Sequence, residues 1–269
     1  MNDLTRISTE IRITTLKLCY LHKASHIGSS FSVIDILTVL YEKILRKNAE
    51  EPNDPKRDRV FYSKGHAAAA FYATLDQFGY LKKHNLLEDY TKNGSFFTSH
   101  INDKIPGVEI STGSLGHALP IAVGVAISMK RKNEINNIYT IISDGELQEG
   151  SNWESILFAP KHKLDNLTLI VDYNKIQSFG RIDEIVPLEP MVDKFIAFNW
   201  EVFEVDGHNH QEIYDSLKKI TKNNKPKVII AHTIKGKGVD FMEDNLEWHY
   251  KSPNPEQFKN ALKQLGNNA

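Results

Sequence analysis

Five short, almost uninterrupted apolar runs, separated by stretches with helical spacing, constrain this chain more than any other feature. They lie at 59–63, 138–143, 167–172, 200–205 and 227–233. A strand that is apolar at nearly every position is buried on both faces, and such strands belong to parallel sheets covered by helices. Between them, 67–78, 121–132, 153–161 and 213–221 carry apolar residues at helical period. Two further helices are predicted ahead of the first strand. In 8–21, Ile11, Thr15 and Leu18 share a face with Ile7 and Leu16 beside them; in 32–45 the stripe is Val33, Ile36, Leu37, Leu40 and Tyr41. Two prolines in 51–55 make that segment a loop, and 255–265 reads as a closing amphipathic helix. The expected fold is one doubly wound α/β domain over residues 1–269, with a mainly parallel sheet and helices on both faces.

Lys plus Arg number 33 and Asp plus Glu 34, a net charge of −1, so no long-range field draws the chain to nucleic acid or an anionic membrane. Apolar runs such as 121–127 are too short to span a bilayer. Residues 1–6 lack the apolar stretch of a signal peptide. Cys19 is the only cysteine, which rules out an internal disulfide and fits a reducing compartment. The cytoplasm is the expected location.

In a doubly wound sheet, ligands bind beyond the carboxyl ends of the strands. Here those ends read 63–66, 143–145, 172–174, 206–208 and 233–236, rich in Gly, Asp and His. A strand closing on Asp144-Gly145, a crossover helix and a strand closing on Asn174 would bring Asp144 and Asn174 to one edge. A carboxylate and an amide oxygen together suit a hard divalent cation such as magnesium, and Gly145 lets backbone approach a phosphate. The same residues could simply close two turns. His208-Asn209-His210 could be a metal pair, but no third ligand is apparent; a turn with an N-cap is the better reading.

The thirty-residue separation of Asp144 and Asn174 resembles the diphosphate–magnesium signature of thiamine-diphosphate enzymes, and the run from Asp144 to Gly150 resembles that of transketolases. Other motifs follow in the order of that family. Residues 24–29 resemble its first histidine motif, 63–67 its second, and 98–100 its third. Residues 111–116 resemble the loop that holds the aminopyrimidine, and 233–238 with Trp248-His249 resemble the closing motifs near the diphosphate.

The resemblance implies a thiamine-diphosphate-binding fold and several roles. Asp144, Asn174 and the Ile176 carbonyl would hold Mg2+. Ser29, His66, Gly113, Ser114, Leu115, Gly145, Asn174, Lys235 and His249 would bind thiamine diphosphate. His26, His100 and His249 would face substrate as proton-handling groups. His22, His84 and His162 belong to no motif and are taken as structural. The implied reaction moves a two-carbon ketol unit from a ketose (phosphate) donor to an aldose (phosphate) acceptor.

Four departures from the family pattern stand out. Ser143 replaces a usual Gly, Ser25-His26-Ile27-Gly28 stands for Gly-His-Pro-Gly, His117-Ala118 for Gln-Gly, and Tyr250 for Gly. All but the first surround the substrate-facing histidines, so pentose phosphates are not implied as substrates. Transketolases also carry a second, pyrimidine-binding domain with the glutamate that activates the cofactor. Its expected place is a separate C-terminal subunit, in an α2β2 assembly. Other readings are the α subunit of a 2-oxo-acid dehydrogenase, a deoxyxylulose-phosphate synthase and a non-catalytic cofactor-binding module. A nicotinamide dehydrogenase is disfavoured, since no Gly-x-Gly-x-x-Gly opens a helix after a strand.

Overall fold

A computed structural model describes residues 2–267; Met1, Asn268 and Ala269, at the two ends of the expected domain, lie outside the described residues. The predicted strands form as β1 (Arg59–Tyr62), β2 (Ile138–Ser143), β3 (Leu167–Tyr173), β4 (Glu201–Asp206) and β5 (Lys227–His232). All pair in parallel, in the order β1-β2-β3-β5-β4. Ser143 stands opposite Asp172, and Tyr173 opposite His232, so the carboxyl ends finish level along one edge.

Alternate residues of each strand feed two separate apolar layers. Tyr62, Tyr139, Ile141, Ile170 and Ile229 point into one, and Phe61, Ile142, Leu169, Val171 and Val228 into the other. The helices are α1 (Asn2–Leu21), α2 (Ile27–Val39), α3 (Ala68–Gln77), α4 (Leu86–Asp89), α5 (Ala118–Arg131), α6 (Gly150–Lys161), α7 (Ile182–Ile185), α8 (Met191–Ala197), α9 (His210–Lys218) and α10 (Pro255–Asn267). Ile11, Leu37, Phe71, Ile213 and Ala261 bring α1, α2, α3, α9 and α10 to the first layer. Leu119, Ile156 and Phe195 bring α5, α6 and α8 to the second. The one connection that runs backwards along the sheet, from β4 to β5, carries α9 to the opposite face from α5, α6 and α8. Right-handed crossovers require that reversal. None of these helices is long and apolar enough to cross a membrane.

Three expectations change. Helix α1 starts at Asn2, not at 8. Helix α2 starts at Ile27, not at 32, and passes into a π turn at Leu40–Ile44; all 13 of its residues are buried, so no polar face marks its start. Strand β4 is not buried on both faces: it is one of the two sheet edges, and only Val205 of its six residues is buried. Trp200 precedes it, with its indole Nε1 donating to the Ile156 carbonyl at 2.8 Å.

Candidate active site

A cavity of about 270 Å³ opens at the carboxyl edge of the sheet. The end of β1 supplies Lys64 and His66, the end of β2 Ser143, Asp144 and Gly145, and the segment after β3 Asn174 and Ile176. The first turn of α2 adds His26 and Ser29, the loop before α5 adds Gly113 and Leu115, and a 3-10 turn at Leu246–His249 brings His249 with Tyr250. The end of β5 reaches the wall through Lys235, which bonds to Ile176 and His249, whereas the end of β4, at 206–208, stays outside.

Asp144 and Asn174 do meet, and Ile176 joins them. The Asp144 carboxylate accepts the Gly145 amide at 2.7 Å and the Lys175 amide at 2.5 Å; Asn174 Oδ1 accepts the Ile176 amide at 3.1 Å. Lys175, between them, takes the left-handed conformation (φ 65°) and so reverses the chain. Burial, and then the charge of Asp172, push the Asp144 carboxyl up to about 6. One carboxylate, one amide oxygen and one peptide oxygen form a donor set for a hard cation that keeps other ligands of its own. The Ile176 carbonyl already attracts a cation, the ammonium of Lys235, at 2.9 Å. That lysine also donates to His249 Nδ1 at 2.7 Å, and burial lowers it to about 7.

Above this set the histidines converge on His26, whose ring lies 5.1 Å from that of His249, 5.4 Å from His66 and 6.0 Å from His100. His26 itself is left-handed (φ 69°) at the N-terminus of α2, held by donating its amide to the His249 carbonyl at 2.8 Å. A non-glycine residue in that region marks a conformation imposed by its surroundings. Burial lowers all four imidazoles: His26 to about 4, with His100 and Lys235 contributing, His249 to about 3, and His66 and His100 in the same direction. They stand neutral at neutral pH, able to accept a proton or share one.

The remaining sequence-predicted residues lie close by. The His100 ring packs on Gly113, where an added Cβ would come within 3.0 Å of it. Ser114 is exposed, and its carbonyl meets His117 Nδ1 at 3.2 Å. His208 and His210 are not a metal pair: both bond to the Asp35 carboxylate, while Asn209 caps α9. No group of three or more His, Cys, Asp or Glu among the described residues is arranged to hold a metal ion.

Several buried charged groups at the site are not evident from the sequence. Lys64 is fully buried and paired with Asp172, which also accepts from Ser32 and Thr233. Glu146 accepts the Gly116 amide at 2.8 Å and the Ser63 hydroxyl, pinning the 113–116 loop. Lys64 lies in the 63–67 motif and Glu146 in the 144–150 motif, but burial cannot be read from a motif. Gly65 is there for proximity: a Cβ on it would lie 2.4 Å from the Thr112 carbonyl oxygen.

The chain as a whole is matched by a known family. The model described as transketolase, thiamine diphosphate binding domain covers residues 4–269. The chain belongs to that family. Two similar proteins are an apulose-4-phosphate transketolase subunit from Actinobacillus succinogenes, 42% identical over 89% of this chain and 87% of that protein, and a 6-deoxy-6-sulfo-D-fructose transketolase subunit from a Clostridium species, 38% identical over 98% and 96%. Among solved structures, the transketolase of Campylobacter jejuni superimposes with a TM-score of 0.92 at 32% identity, over 99% of this chain but 43% of that one. This transketolase domain thus spans nearly the whole of the subunit relatives and under half of the Campylobacter protein. The parallel α/β sheet and the thiamine-diphosphate-binding class expected from the sequence both hold.

Proposed function

We propose that this chain is the cofactor-binding subunit of a two-chain transketolase, a glycolaldehyde-transferring enzyme that works only with a partner carrying the pyrimidine-binding domain. The observation that carries the reading is the juxtaposition, in one cavity, of the Asp144–Asn174–Ile176 oxygen set with four neutral histidines. The near-complete match to relatives named as transketolase subunits supports the split arrangement, which we take to be α2β2. Single, buried Cys19 accords with the reducing cytoplasm.

Thiamine diphosphate supplies the carbanion chemistry of ketol transfer when bound. Asp144, Asn174 and the Ile176 carbonyl would hold Mg2+ against its diphosphate. Lys235, His66, His249, Gly145 and Ser29 would meet the diphosphate side, and Gly113, Ser114 and Leu115 the aminopyrimidine side. The protein's own part is position and proton management. Neutral His26, His100 and His249 can take protons from substrate hydroxyls and return them within one shielded cavity. Lys235 offers positive charge without exposing it to water, since its side chain is almost wholly buried. Ketose donors and aldose acceptors, phosphorylated or not, are the substrate class. The altered residues around the histidines favour sugars other than the common pentose phosphates.

The test is to copurify the chain with a partner bearing a pyrimidine-binding domain, then assay ketose phosphates beside pyruvate-type acids. Ketol transfer that needs both chains is the expected result. Activity on 2-oxo acids alone would make it a dehydrogenase subunit instead.

A further inference from the structure

Asp35, in the middle of α2, has 5% of its surface exposed and receives four hydrogen bonds. Arg12 of α1 grips it with two guanidinium nitrogens, His208 Nδ1 reaches Oδ2 at 2.8 Å, and His210 Nε2 reaches Oδ1 at 2.8 Å. Burial opposes its charge, but Arg12 and the two imidazoles overcome that and hold it well below the usual carboxylate range. A carboxylate has no proton to give, so the hydrogen in its bond with His208 belongs to Nδ1. The opposite ring nitrogen agrees, since His208 Nε2 accepts the Ile234 amide at 2.8 Å and must be bare.

The amide it holds is next to Lys235. The backbone on either side of that lysine is fixed at three more points. The Gly236 amide donates to the Gly28 carbonyl at 2.9 Å, the Asp244 amide to the Lys235 carbonyl at 2.9 Å, and Arg12 Nε to the Lys237 carbonyl at 3.2 Å. Arg12 therefore serves both ends, neutralising Asp35 and tying down Lys237. Gly207 makes the approach of His208 possible, because a Cβ there would lie 2.3 Å from Thr233 Cγ2. From this anchored segment the Lys235 ammonium reaches the cavity wall at Ile176 and His249.

We propose that Asp35 and His208 are positioning residues for the cofactor: the carboxylate fixes the imidazole tautomer, and the imidazole fixes the backbone from which Lys235 meets the diphosphate. This rests on the reading of Lys235 given under the proposed function. A charged group outside the cavity thus sets the geometry inside it, in the way outer partners orient the ligands of metal sites.

Two measurements test the proposal on the full chain with its partner. In 15N-histidine NMR of the wild type, the ring assigned to His208 by its loss in His208→Ala carries its proton on Nδ1, with Nε2 unprotonated. Calorimetric titration with thiamine diphosphate and Mg2+ shows about tenfold or greater weakening in His208→Ala, partly restored in His208→Gln, whose amide oxygen can again accept from Ile234. A purely structural role would lower the melting temperature and leave the affinity of folded protein unchanged; that result overturns the proposal, as does an Nε2–H tautomer in the wild type. Should His208→Ala not fold, His208→Gln and the wild-type tautomer still decide. A wild type that binds no thiamine diphosphate would defeat the proposed function first and the proposal with it. Normal wild-type binding with unaffected variants defeats the proposal alone.

Discussion

Lys64 and Asp172 form an ion pair in which neither side chain has any exposed surface. It spans the ends of β1 and β3 beneath the cavity, with Ser32 Oγ donating to the same carboxylate at 2.6 Å and Lys64 donating to the Ser29 carbonyl at 2.9 Å. A buried pair adds little net stability, because desolvation offsets attraction, but losing one partner strands the other. Asp172→Asn should therefore destabilise the fold by about 3–5 kcal/mol, read from urea unfolding, and Lys64→Met added to it should recover much of the loss. A loss within about 1 kcal/mol would mean that Lys64 is not held as a buried cation.

Glu146 is tied to the 113–116 loop through one oxygen, while its Oε2 has no partner among the described residues. Burial raises its carboxyl, despite bonds from Ser63 and Gly116 that act the other way. Glu146→Gln keeps the accepting oxygen and should be mild. Glu146→Ala frees the Gly116 amide and should remove about 2–3 kcal/mol in chemical denaturation. Equal losses in the two variants would contradict the clamp.

The histidine cluster predicts a pH dependence of stability with a defined sign. The His26 imidazole falls from its ordinary 6.5 to about 4 in the fold, so the unfolded chain takes up a proton that the native one excludes. Stability from this group is complete above the ordinary value and is lost as pH falls through about 4. His66, His100 and His249 act in the same direction. Urea midpoints followed from neutral pH to about 4 should fall more steeply in the wild type than in His26→Asn. Parallel curves would show that the cluster does not exclude protons.

Tyr250 is 59% exposed at the mouth of the cavity, its ring 4.7 Å from that of His249 and 5.6 Å from that of His26. Its bulk narrows the approach to His26 and His249. Tyr250→Gly should raise kcat/KM for a longer aldose acceptor relative to a shorter one by about tenfold, with cofactor affinity unchanged. An unaltered ratio would remove Tyr250 from acceptor selection.

The central strands are legible because their sequences are mostly apolar, and Ile138–Ser143 and Leu167–Tyr173 are buried on both faces in the fold. Edge strand β4 departs from expectation because its half-exposed residues Val202 and Phe203 read like core. Asp144 and Asn174 could be paired from the strand–helix–strand pattern alone, since a parallel crossover returns to the same edge. Lys64 and Glu146 could not, because a charged residue in a sequence reads as solvated until packing shows it buried. His208 was invisible as a positioning group for a different reason: its partner Asp35 lies 173 residues away along the chain. Local spacing identifies a turn there and nothing more.

The most direct measurement is calorimetric titration of thiamine diphosphate, with and without Mg2+, into the chain copurified with its partner. A cofactor-binding transketolase subunit should show magnesium-dependent binding in the wild type that disappears in Asp144→Ala while the variant stays folded. Absence of binding in the wild type, or binding indifferent to magnesium and to Asp144, would contradict that role.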